Sequence, residues 1–352
     1  MRLQQLGWDS FFQKQTMPEG CIPARVSEQH KSLYHVISEK GDFLCEISGK
    51  LRFQTEDRTE YPGVGDWTGI ELTGQERAII RFLFSRKTSI SRKAAGKIAE
   101  QQILCANVDW IFVVTSMNQE FNLRRLERYL SVAWESGAQP VLILNKADLC
   151  HDPTSFKTEA ELAANGVNIH LASAMTGLGM EIFEQYLAHG KTGVMIGSSG
   201  VGKSTLINTL IGRNLQKVGS IRLDDDHGRH TTTFRELIPI ATGGIVFDTP
   251  GMRELGLWDS TQGLSKTFED LEILAENCKY RNCTHRTEPA CAVQEAAKNG
   301  LLSHDRIESY RKLQAELTYL ESKTDVTRKL HRKSFMKKAC KAQKQIYKNK
   351  GW

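Results

Sequence analysis

The sequence predicts a protein of three parts, in which a small antiparallel sheet or barrel precedes a central α/β domain and a mostly α-helical C-terminal region. Short runs of alternating apolar and polar residues occur between positions 30 and 90. Apolar strand-like runs then alternate with helical segments as far as position 247. Three cysteines and a histidine cluster between positions 278 and 291. The length of 352 residues agrees with several domains, because single cores rarely grow beyond about 250–300 residues.

The N-terminal part predicts a small antiparallel sheet or barrel. Turn signals at Gly41-Asp42, Ser48-Gly49 and Pro62-Gly63 separate its strand-like runs, which read LYHVIS, FLCEIS, LRFQ, DWTGIEL and AIIRFLF. Alternation of this kind is typical of strands with one buried face, but it does not say which barrel they form. The preceding residues 1–26 predict one docking helix, from an apolar pattern at Leu3, Leu6, Phe11 and Phe12.

The central part predicts a mostly parallel sheet with helices on both faces, because its strands alternate with helical segments. The apolar strands read WIFVV (110–114), VLIL (141–144), NIHLA (168–172), GVMI (193–196) and GIVF (244–247). Between the third and fourth strands, one helical face carries Met180, Phe183, Tyr186 and Leu187. A later helix is predicted from about 303 to 323, with Ser303 as its N-cap.

Composition and charge predict a soluble, cytoplasmic protein with a basic tail. We find no run of 18 apolar residues and no early apolar segment followed by a cleavage site. The formal charge is +6, but residues 328–350 hold ten Lys or Arg and no Asp or Glu, which leaves the other residues at 6 − 10 = −4. Such a tail is typical either of a nucleic-acid-binding arm or of a solvated end.

A glycine-rich segment, GSSGVGKST, lies between the GVMI strand and the helical STLINTLIG. Its pattern predicts a phosphate-binding loop, in which glycines let backbone N–H groups turn toward phosphates at a helix N-terminus. We expect Lys203 to reach the β- and γ-phosphates, Ser204 to bind Mg²⁺, and Thr205 to lie at the α-phosphate. A chance match in a glycine-rich turn is the alternative. The predicted contacts are Gly197, Ser198, Ser199, Gly200, Val201, Gly202, Lys203, Ser204 and Thr205.

The stretch NKAD, at residues 145–148, predicts the element that reads the base. Guanine presents two adjacent donors, N1–H and the 2-amino group, which one carboxylate accepts together, and adenine lacks this pair. Asp148 follows the end of its strand, where ligands of open α/β sheets bind. Lys146 is expected to lie along the base, while Asn145 binds the ring edge and ties this loop to the phosphate loop. The predicted base site consists of Asn145, Lys146, Ala147, Asp148, Ser173 and Ala174, the last two through their backbone N–H groups.

A third element, VFDTPG (246–251), predicts a nucleotide-sensing switch. Asp248 is expected to hold Mg²⁺ through water, and the Gly251 N–H to sense the γ-phosphate. In the usual GTPase order the phosphate loop comes first, whereas here the base reader does. The chain is therefore predicted to be circularly permuted, which is tolerable because the termini of a domain often lie close together. We expect the switch to act directly on the C-terminal region that follows it.

The segment CKYRNCTHRTEPAC predicts a structural zinc site. Its spacing is C-x4-C-x-H-x5-C, and three thiolates with one imidazole fill a tetrahedral Zn²⁺ shell without an open position. Buried cysteines without a metal are the alternative, because this is not the spacing of the commonest zinc fingers. The predicted ligands are Cys278, Cys283, His285 and Cys291.

Taken together, these motifs resemble the RsgA (YjeQ/YloQ) family of circularly permuted bacterial GTPases, which act in maturation of the small ribosomal subunit. The resemblance covers about residues 30–320 and includes YPGVGDW (61–67), SRKAAGK (91–97), ANVDWIFVV (106–114), GRHTTT (228–233) and EPACAV (288–293). It implies an OB-fold barrel, a permuted GTPase domain and a zinc-binding domain, with GTP hydrolysis stimulated by the small subunit. The corresponding divisions are 1–27, 28–92, 93–257, 258–325 and a basic tail at 326–352.

The resemblance also implies that GRHTTT is the first switch, in which Thr232 completes the Mg²⁺ shell. Met252 follows Gly251 where many GTPases carry a water-orienting glutamine, so intrinsic turnover should be slow. His230 is the polar candidate to replace that glutamine, and an exposed loop histidine is the alternative. The catalytic residues are therefore predicted to be His230, Thr232 and Lys203.

The expected partners are GTP or GDP with Mg²⁺, one zinc ion, and the small (30S) ribosomal subunit with its 16S rRNA. No membrane association and a monomeric state are expected. The basic tail, with Phe335, Tyr347 and Trp352 interleaved, suits rRNA. A second hypothesis is an RNA-binding placeholder in which GTP only sets the conformation. An ATP-using phosphotransferase is disfavoured by Asp148.

Overall fold

The computed structural model describes most of the chain. The described residues are 2–30, 32–54, 58–93, 101–218, 236–240, 243–248, 262–320 and 322. In that part of the chain no helix is both long and apolar enough to cross a membrane.

The N-terminal part is a closed five-stranded barrel of the OB type. Its strands are β1 (Ile22–His30), β2 (Leu33–Ser38), β3 (Gly41–Ile47), β4 (Trp67–Leu72) and β5 (Arg77–Leu83). They pair in the order β1-β2-β3-β5-β4, and β4 closes on β1. Only the β3–β5 pair is parallel. The alternating apolar residues fill the interior, as predicted, and include Val26, Val36, Cys45, Ile70 and Ile80.

Two details of the barrel differ from the sequence-based prediction. LRFQ was expected to be a strand, but it belongs to helix α2 (Gly49–Gln54). The Ser48 hydroxyl accepts a hydrogen bond from the Leu51 N–H at 3.2 Å, so this turn signal caps a helix. Strand β1 also begins at Ile22, upstream of the expected boundary at residue 28.

The N-terminal segment docks against the barrel through two short helical turns instead of one helix. A 3₁₀ turn spans Leu3–Leu6, and α1 spans Ser10–Gln13. Leu6 and Phe12 are buried in an aromatic cluster with Trp67 and Phe84. The predicted docking is confirmed, although Phe11 remains partly exposed.

The central sheet is parallel except at one edge. After a hairpin of β6 (Ser89–Lys93) and β7 (Gln101–Ala106), its strands are β8 (Trp110–Ser116), β9 (Gln139–Asn145), β10 (Asn168–Leu171), β11 (Thr192–Ile196), β12 (Glu236–Pro239) and β13 (Ile245–Asp248). The order is β10-β9-β8-β11-β13-β12, and only β12 runs antiparallel. All five predicted strands are present. The sequence did not indicate β6, β7 or β12. The segment SRKAAGK predicts a connector, but its first three residues belong to β6.

Helices cover both faces of this sheet, as predicted. On one face, α3 (Leu123–Glu135) and α4 (Pro153–Glu161) pack with the C-terminal region. On the other, α5 (Met180–Tyr186) and α6 (Lys203–Val218) pack against alternate residues of the same strands. Both faces of each strand are therefore buried, which explains why the strands are apolar throughout.

The C-terminal region is helical and rests on α3. It contains α7 (Gln262–Thr267), α8 (Glu269–Ala275), α9 (Ala292–Lys298) and α10 (residues 304–320). The Ser303 hydroxyl caps α10, as predicted, by accepting from the Arg306 N–H at 3.1 Å. Arg306 donates to Glu127 of α3 at 2.9 Å and to Asp270 of α8 at 2.8 Å. The buried Arg306–Glu127 ion pair fixes the C-terminal region to α3, and the Arg306–Asp270 pair joins α10 to α8.

Arg25 of β1 joins the barrel, the N-terminal segment and the central sheet. Its guanidinium is fully buried and donates to the carbonyl oxygens of Leu6 (2.5 Å), Gly65 (3.1 Å) and Asn107 (3.0 Å) and to the Thr192 hydroxyl (2.9 Å). Burial lowers the pKa of Arg25 to about 10, so the side chain stays charged at neutral pH. One side chain therefore satisfies four acceptors at the junction of three segments.

Replacing Arg25 with methionine is expected to destabilise the protein, because three buried acceptors lose the Arg25 donor at about 1–3 kcal/mol each, while the Gly65 carbonyl keeps the Asn107 side-chain amide at 3.1 Å. We expect a loss of about 3 kcal/mol or more, seen as an apparent Tm lower by about 5 °C. The matched control is Arg77→Met, which removes an exposed arginine of β5. Equal Tm values for the two variants would contradict this role of Arg25.

Candidate nucleotide site and metal cluster

The base-reading stretch and the phosphate loop meet at one edge of the central sheet. Asn145 ends β9, and the phosphate loop follows β11, with β8 lying between these strands. The Asn145 side-chain amide donates to the Val201 carbonyl at 2.8 Å, so it ties the two loops together. Gly202 has φ +98°, and a Cβ there would collide with this amide. Glycine is therefore required at Gly202 by the close approach of the two loops.

Asp148 is exposed at the end of β9, and Ser173 holds its carboxylate. Lys146 adopts φ +65°, which turns the chain into a short 3₁₀ segment, Ala147–Leu149. The Ser173 hydroxyl donates to Asp148 Oδ1 at 2.5 Å, and the Ala147 N–H donates to the Ala172 carbonyl at 3.1 Å. The NKAD and Ser-Ala loops are thus one unit. The sequence predicts backbone donors at Ser173 and Ala174, but the Ser173 N–H donates to the Leu178 carbonyl at 2.9 Å. The sequence also did not indicate that the Ser173 hydroxyl orients Asp148.

The phosphate loop has the geometry of an anion cradle. Gly197 follows β11 with φ +146°, and a Cβ there would collide with the Val114 carbonyl. Helix α6 begins at Lys203, so backbone N–H groups of its first turn open toward the loop. Lys203 Nζ donates to the carbonyl oxygens of Gly197 (2.8 Å) and Ser198 (2.5 Å). Ser199, Gly200, Ser204 and Thr205 are exposed around this opening, while Val201 is buried beneath it.

Two residues of α3 reach the phosphate loop and were missed by sequence reasoning. Arg125 Nη1 donates to the Ser198 hydroxyl at 2.9 Å, and the Tyr129 hydroxyl lies 3.5 Å from the same oxygen. Their i, i+4 spacing places them on one face of α3, after the strand that neighbours β11. This spacing is the sequence signal that could have identified Arg125 and Tyr129 as contacts of the phosphate loop. The same helix carries Glu127, which binds Arg306, so α3 connects the phosphate loop to the C-terminal region.

Asp248 ends β13, next to the strand that leads into the phosphate loop. It is partly buried, and this burial raises the pKa of its carboxyl. His230, Thr232 and Gly251 lie outside the described residues, and so does Met252. Their roles in catalysis and in magnesium binding stay predictions.

The structure brings Cys278, Cys283, His285 and Cys291 together. One ligand atom from each lies within 4.8 Å of the others. His285 Nδ1 is 3.6 Å from Cys278 Sγ and 3.5 Å from Cys291 Sγ. Burial, followed by the charge of Arg311, lowers the pKa of His285, which favours the neutral imidazole that metals bind. Three thiols and one neutral imidazole fit a tetrahedral zinc ion.

The backbone around this cluster is held by a carboxylate and by a helix cap. Glu288 accepts hydrogen bonds from the N–H groups of Thr284 (2.9 Å) and Arg286 (2.8 Å), which lie on either side of His285. The Thr284 hydroxyl bond and these backbone bonds hold the pKa of Glu288 at about 2. Cys291 is the N-cap of α9 and accepts from the Gln294 N–H at 3.5 Å. These bonds hold the backbone that carries His285 and Cys291.

Comparison with known proteins gives a consistent result. The family model described as RsgA GTPase matches residues 83–258. An ABC transporter model matches residues 181–346, which contain the phosphate loop but neither Asp148 nor Ser173. Small ribosomal subunit biogenesis GTPase RsgA 2 from Lactiplantibacillus plantarum is 42% identical over 335 residues, covering 94% of each chain. RsgA from Opitutus terrae is 39% identical over 338 residues, covering 92% of each chain.

Solved structures share the fold. YjeQ from Thermotoga maritima superposes with a TM-score of 0.63 at 27% identity, covering 85% of this chain and 99% of that one. YloQ, described as a circularly permuted GTPase, gives a TM-score of 0.63 at 23% identity, covering 86% of this chain and 98% of that one, and supports the fold alone.

The barrel, the order of the nucleotide-binding loops and the site that they form define a circularly permuted GTPase with a helical C-terminal region. The identity of about 40% over more than 90% of the chain also identifies the family within this class. The chain belongs to the RsgA family of GTPases.

Proposed function

We propose that this protein hydrolyses GTP when it binds the small ribosomal subunit, and that it acts late in the maturation of that subunit. The observation that carries the nucleotide assignment is the Asn145–Val201 hydrogen bond, which joins the guanine reader to the phosphate loop. The relatives named as small ribosomal subunit biogenesis GTPases support the choice of partner.

In this proposal Asp148, oriented by Ser173, accepts the two guanine donors, and the Lys146 stem packs on the base. The N–H groups of residues 197–205 bind the phosphates, while Lys203 moves from its loop carbonyls to the β- and γ-phosphates. Ser204 would bind a Mg²⁺ ion directly and Asp248 would hold it through water, and the bound ion would neutralise charge on the phosphate oxygens. In the first switch, Thr232 would complete the Mg²⁺ shell and His230 would orient the attacking water.

The proposal includes binding of 16S rRNA by the barrel and by residues 326–352, with the protein monomeric and cytoplasmic. Ten cations in residues 328–350 would neutralise phosphates, so RNA binding should weaken steeply with salt. Deleting residues 328–352 should reduce both the affinity and this salt dependence. An unchanged salt dependence would assign RNA binding to the rest of the chain.

Nucleotide state is proposed to reach the C-terminal region by two routes. The first route is the chain itself, because the second switch leads directly into the C-terminal region. The second route is α3, which reaches the phosphate loop and binds the C-terminal region through the Glu127–Arg306 pair. Hydrogen exchange in residues 258–300 should therefore differ between the GTP and GDP forms. Identical exchange in both forms would rule out this coupling.

The experiment that tests the proposed function compares hydrolysis of GTP and ATP, with and without purified small subunits. We expect slow GTP turnover that the subunits accelerate, and no comparable use of ATP. His230→Ala should keep subunit binding and lose the acceleration, and His304→Ala, at an exposed histidine, is the control. Acceleration that survives His230→Ala would contradict the role of His230. Absence of any acceleration would favour a binding module in which turnover is incidental.

We also propose one structural zinc ion at the four clustered ligands. Replacing Cys291 with alanine removes a ligand and the cap of α9, so zinc should be lost and stability should fall by on the order of 3 kcal/mol or more. Metal analysis and thermal unfolding measure the two effects. Cys150→Ala, at a partly exposed cysteine outside the cluster, should retain the ion. Full zinc content in Cys291→Ala would exclude this ligand set.

A further inference from the structure

A second group of metal-binding side chains lies on the barrel, at Glu28, His30 and His35. One ligand atom from each of the three lies within 4.8 Å of the others. His30 Nε2 is 3.0 Å from Glu28 Oε2, and the two imidazole rings are 5.8 Å apart, nearly perpendicular. None of the three belongs to the nucleotide site or to the cysteine cluster.

A β-bulge brings these residues onto one face. Strand β1 pairs with β2 in register up to Val26–Val36, and the pairing resumes one residue later at Glu28–His35. The extra residue is Ser27. Without the bulge Ser27 would pair with His35, but with it Glu28 does. His30, two residues further along β1, then lies on the same face as Glu28. Bulges of this kind commonly re-aim side chains next to functional sites.

The donor set selects the class of ion. Two imidazoles and one carboxylate suit zinc and similar transition metals, whereas Mg²⁺ and Ca²⁺ prefer oxygen ligands alone. Three protein ligands leave positions for water or for a further group. The side chains of His30 and Glu28 are 34% and 32% exposed, and His35 is exposed, so an ion can enter and leave from solvent. This differs from the closed shell of the cysteine cluster.

The group lies at the seam between the barrel and the GTPase sheet. Glu28 pairs with Glu236 of β12, and Glu236 pairs with Asp248 of β13. Three carboxylates therefore stand in one cross-strand row that ends at His35. A divalent cation at Glu28 would place positive charge next to this row. The site thus adjoins the strand that follows the first switch segment.

We propose that Glu28, His30 and His35 form a second metal site, which binds Zn²⁺ or a similar divalent transition metal with exchangeable water ligands. This site is distinct from the structural cluster in ligand chemistry and in its access to solvent. Its occupancy links β1 to β2 at the bulge, beside the only described pairing of the barrel with the GTPase sheet.

The test uses the full-length protein with its cysteine cluster loaded with zinc, titrated with Co²⁺ and followed by absorption spectroscopy. Binding should produce visible d–d bands without a thiolate-to-cobalt charge-transfer band, because no cysteine takes part. Zinc binding, measured by calorimetry on the same protein, should show one further site. His35→Ala and Glu28→Gln should weaken this site about 100-fold or more, since even loss of a supporting residue costs 10–100-fold.

The matched control is His304→Ala, at an exposed histidine of α10, which should bind as the wild type does. His35→Ala changes a surface side chain, and an unchanged zinc content of the cysteine cluster will verify that the variant is folded. The proposal is overturned if the zinc-loaded wild type binds no further ion. It is equally overturned if the extra binding is the same in His35→Ala and Glu28→Gln as in the wild type, which would place that ion elsewhere on the chain.

Discussion

Replacing Asp148 with asparagine should weaken GTP binding by about 100-fold or more, because hydrogen bonds to a charged group contribute about 1.5–3 kcal/mol each and two are affected. The amide donates where the carboxylate accepted, so it suits xanthine, whose 2-oxo group replaces the 2-amino group. Preference should therefore move from guanine toward xanthine nucleotides. The amide oxygen of the new side chain can still accept from the Ser173 hydroxyl, which keeps the loop in place. Competition binding with GTP, xanthosine triphosphate and ATP measures the change.

The control for this variant is Asp152→Asn, four residues along the chain. Asp152 caps α4 by accepting from the Ser155 N–H at 3.1 Å, and asparagine caps helices equally well. Guanine preference should be unaffected there. If Asp148→Asn bound GTP as tightly as the wild type, Asp148 would not be the base reader.

Replacing Lys203 with alanine should reduce the rate of GTP hydrolysis by about 1,000-fold, because loss of one preorganised donor at developing charge costs about 10²–10³ in kcat. Lys203 Nζ already lies at the phosphate loop, held by the Gly197 and Ser198 carbonyls. Single-turnover hydrolysis at saturating GTP separates this effect from weaker binding. Arginine should not restore the rate, since its planar fork does not replace a compact ammonium group.

Lys157→Ala is the control for Lys203, because Lys157 is an exposed lysine of α4. Its hydrolysis rate should equal that of the wild type. A Lys203→Ala variant with normal single-turnover rates would show that the loop binds phosphate without stabilising the transition state.

The nucleotide site could be predicted from the sequence because its motifs carry their own geometry. A strand, a glycine pattern and a helix fix where a phosphate loop lies, and the carboxyl ends of parallel strands meet at one edge. The contact between Asn145 and the phosphate loop followed from these rules. The order of the motifs was sufficient to recognise the permutation, since it depends only on chain connectivity.

Residues that act through long-range packing were not predictable in this way. Arg25 is a single basic residue in a strand, and nothing local indicates that it is buried at a junction of three segments. Arg125 and Tyr129 reach Ser198 only because α3 lies beside the phosphate loop. LRFQ was misassigned because four residues are too few to separate a strand from a helix. The bulge at Ser27, which places Glu28 opposite His35, depends on strand pairing and leaves no local pattern.

The most direct test is a crystal structure of the protein with a non-hydrolysable GTP analogue and Mg²⁺. The Asp148 carboxylate should contact guanine N1 and the 2-amino group, while the N–H groups of residues 197–205 surround the phosphates of the same nucleotide. A base bound away from Asp148, with the phosphates still in the loop, would contradict the claim that an early and a late segment of this chain build one guanine-nucleotide site.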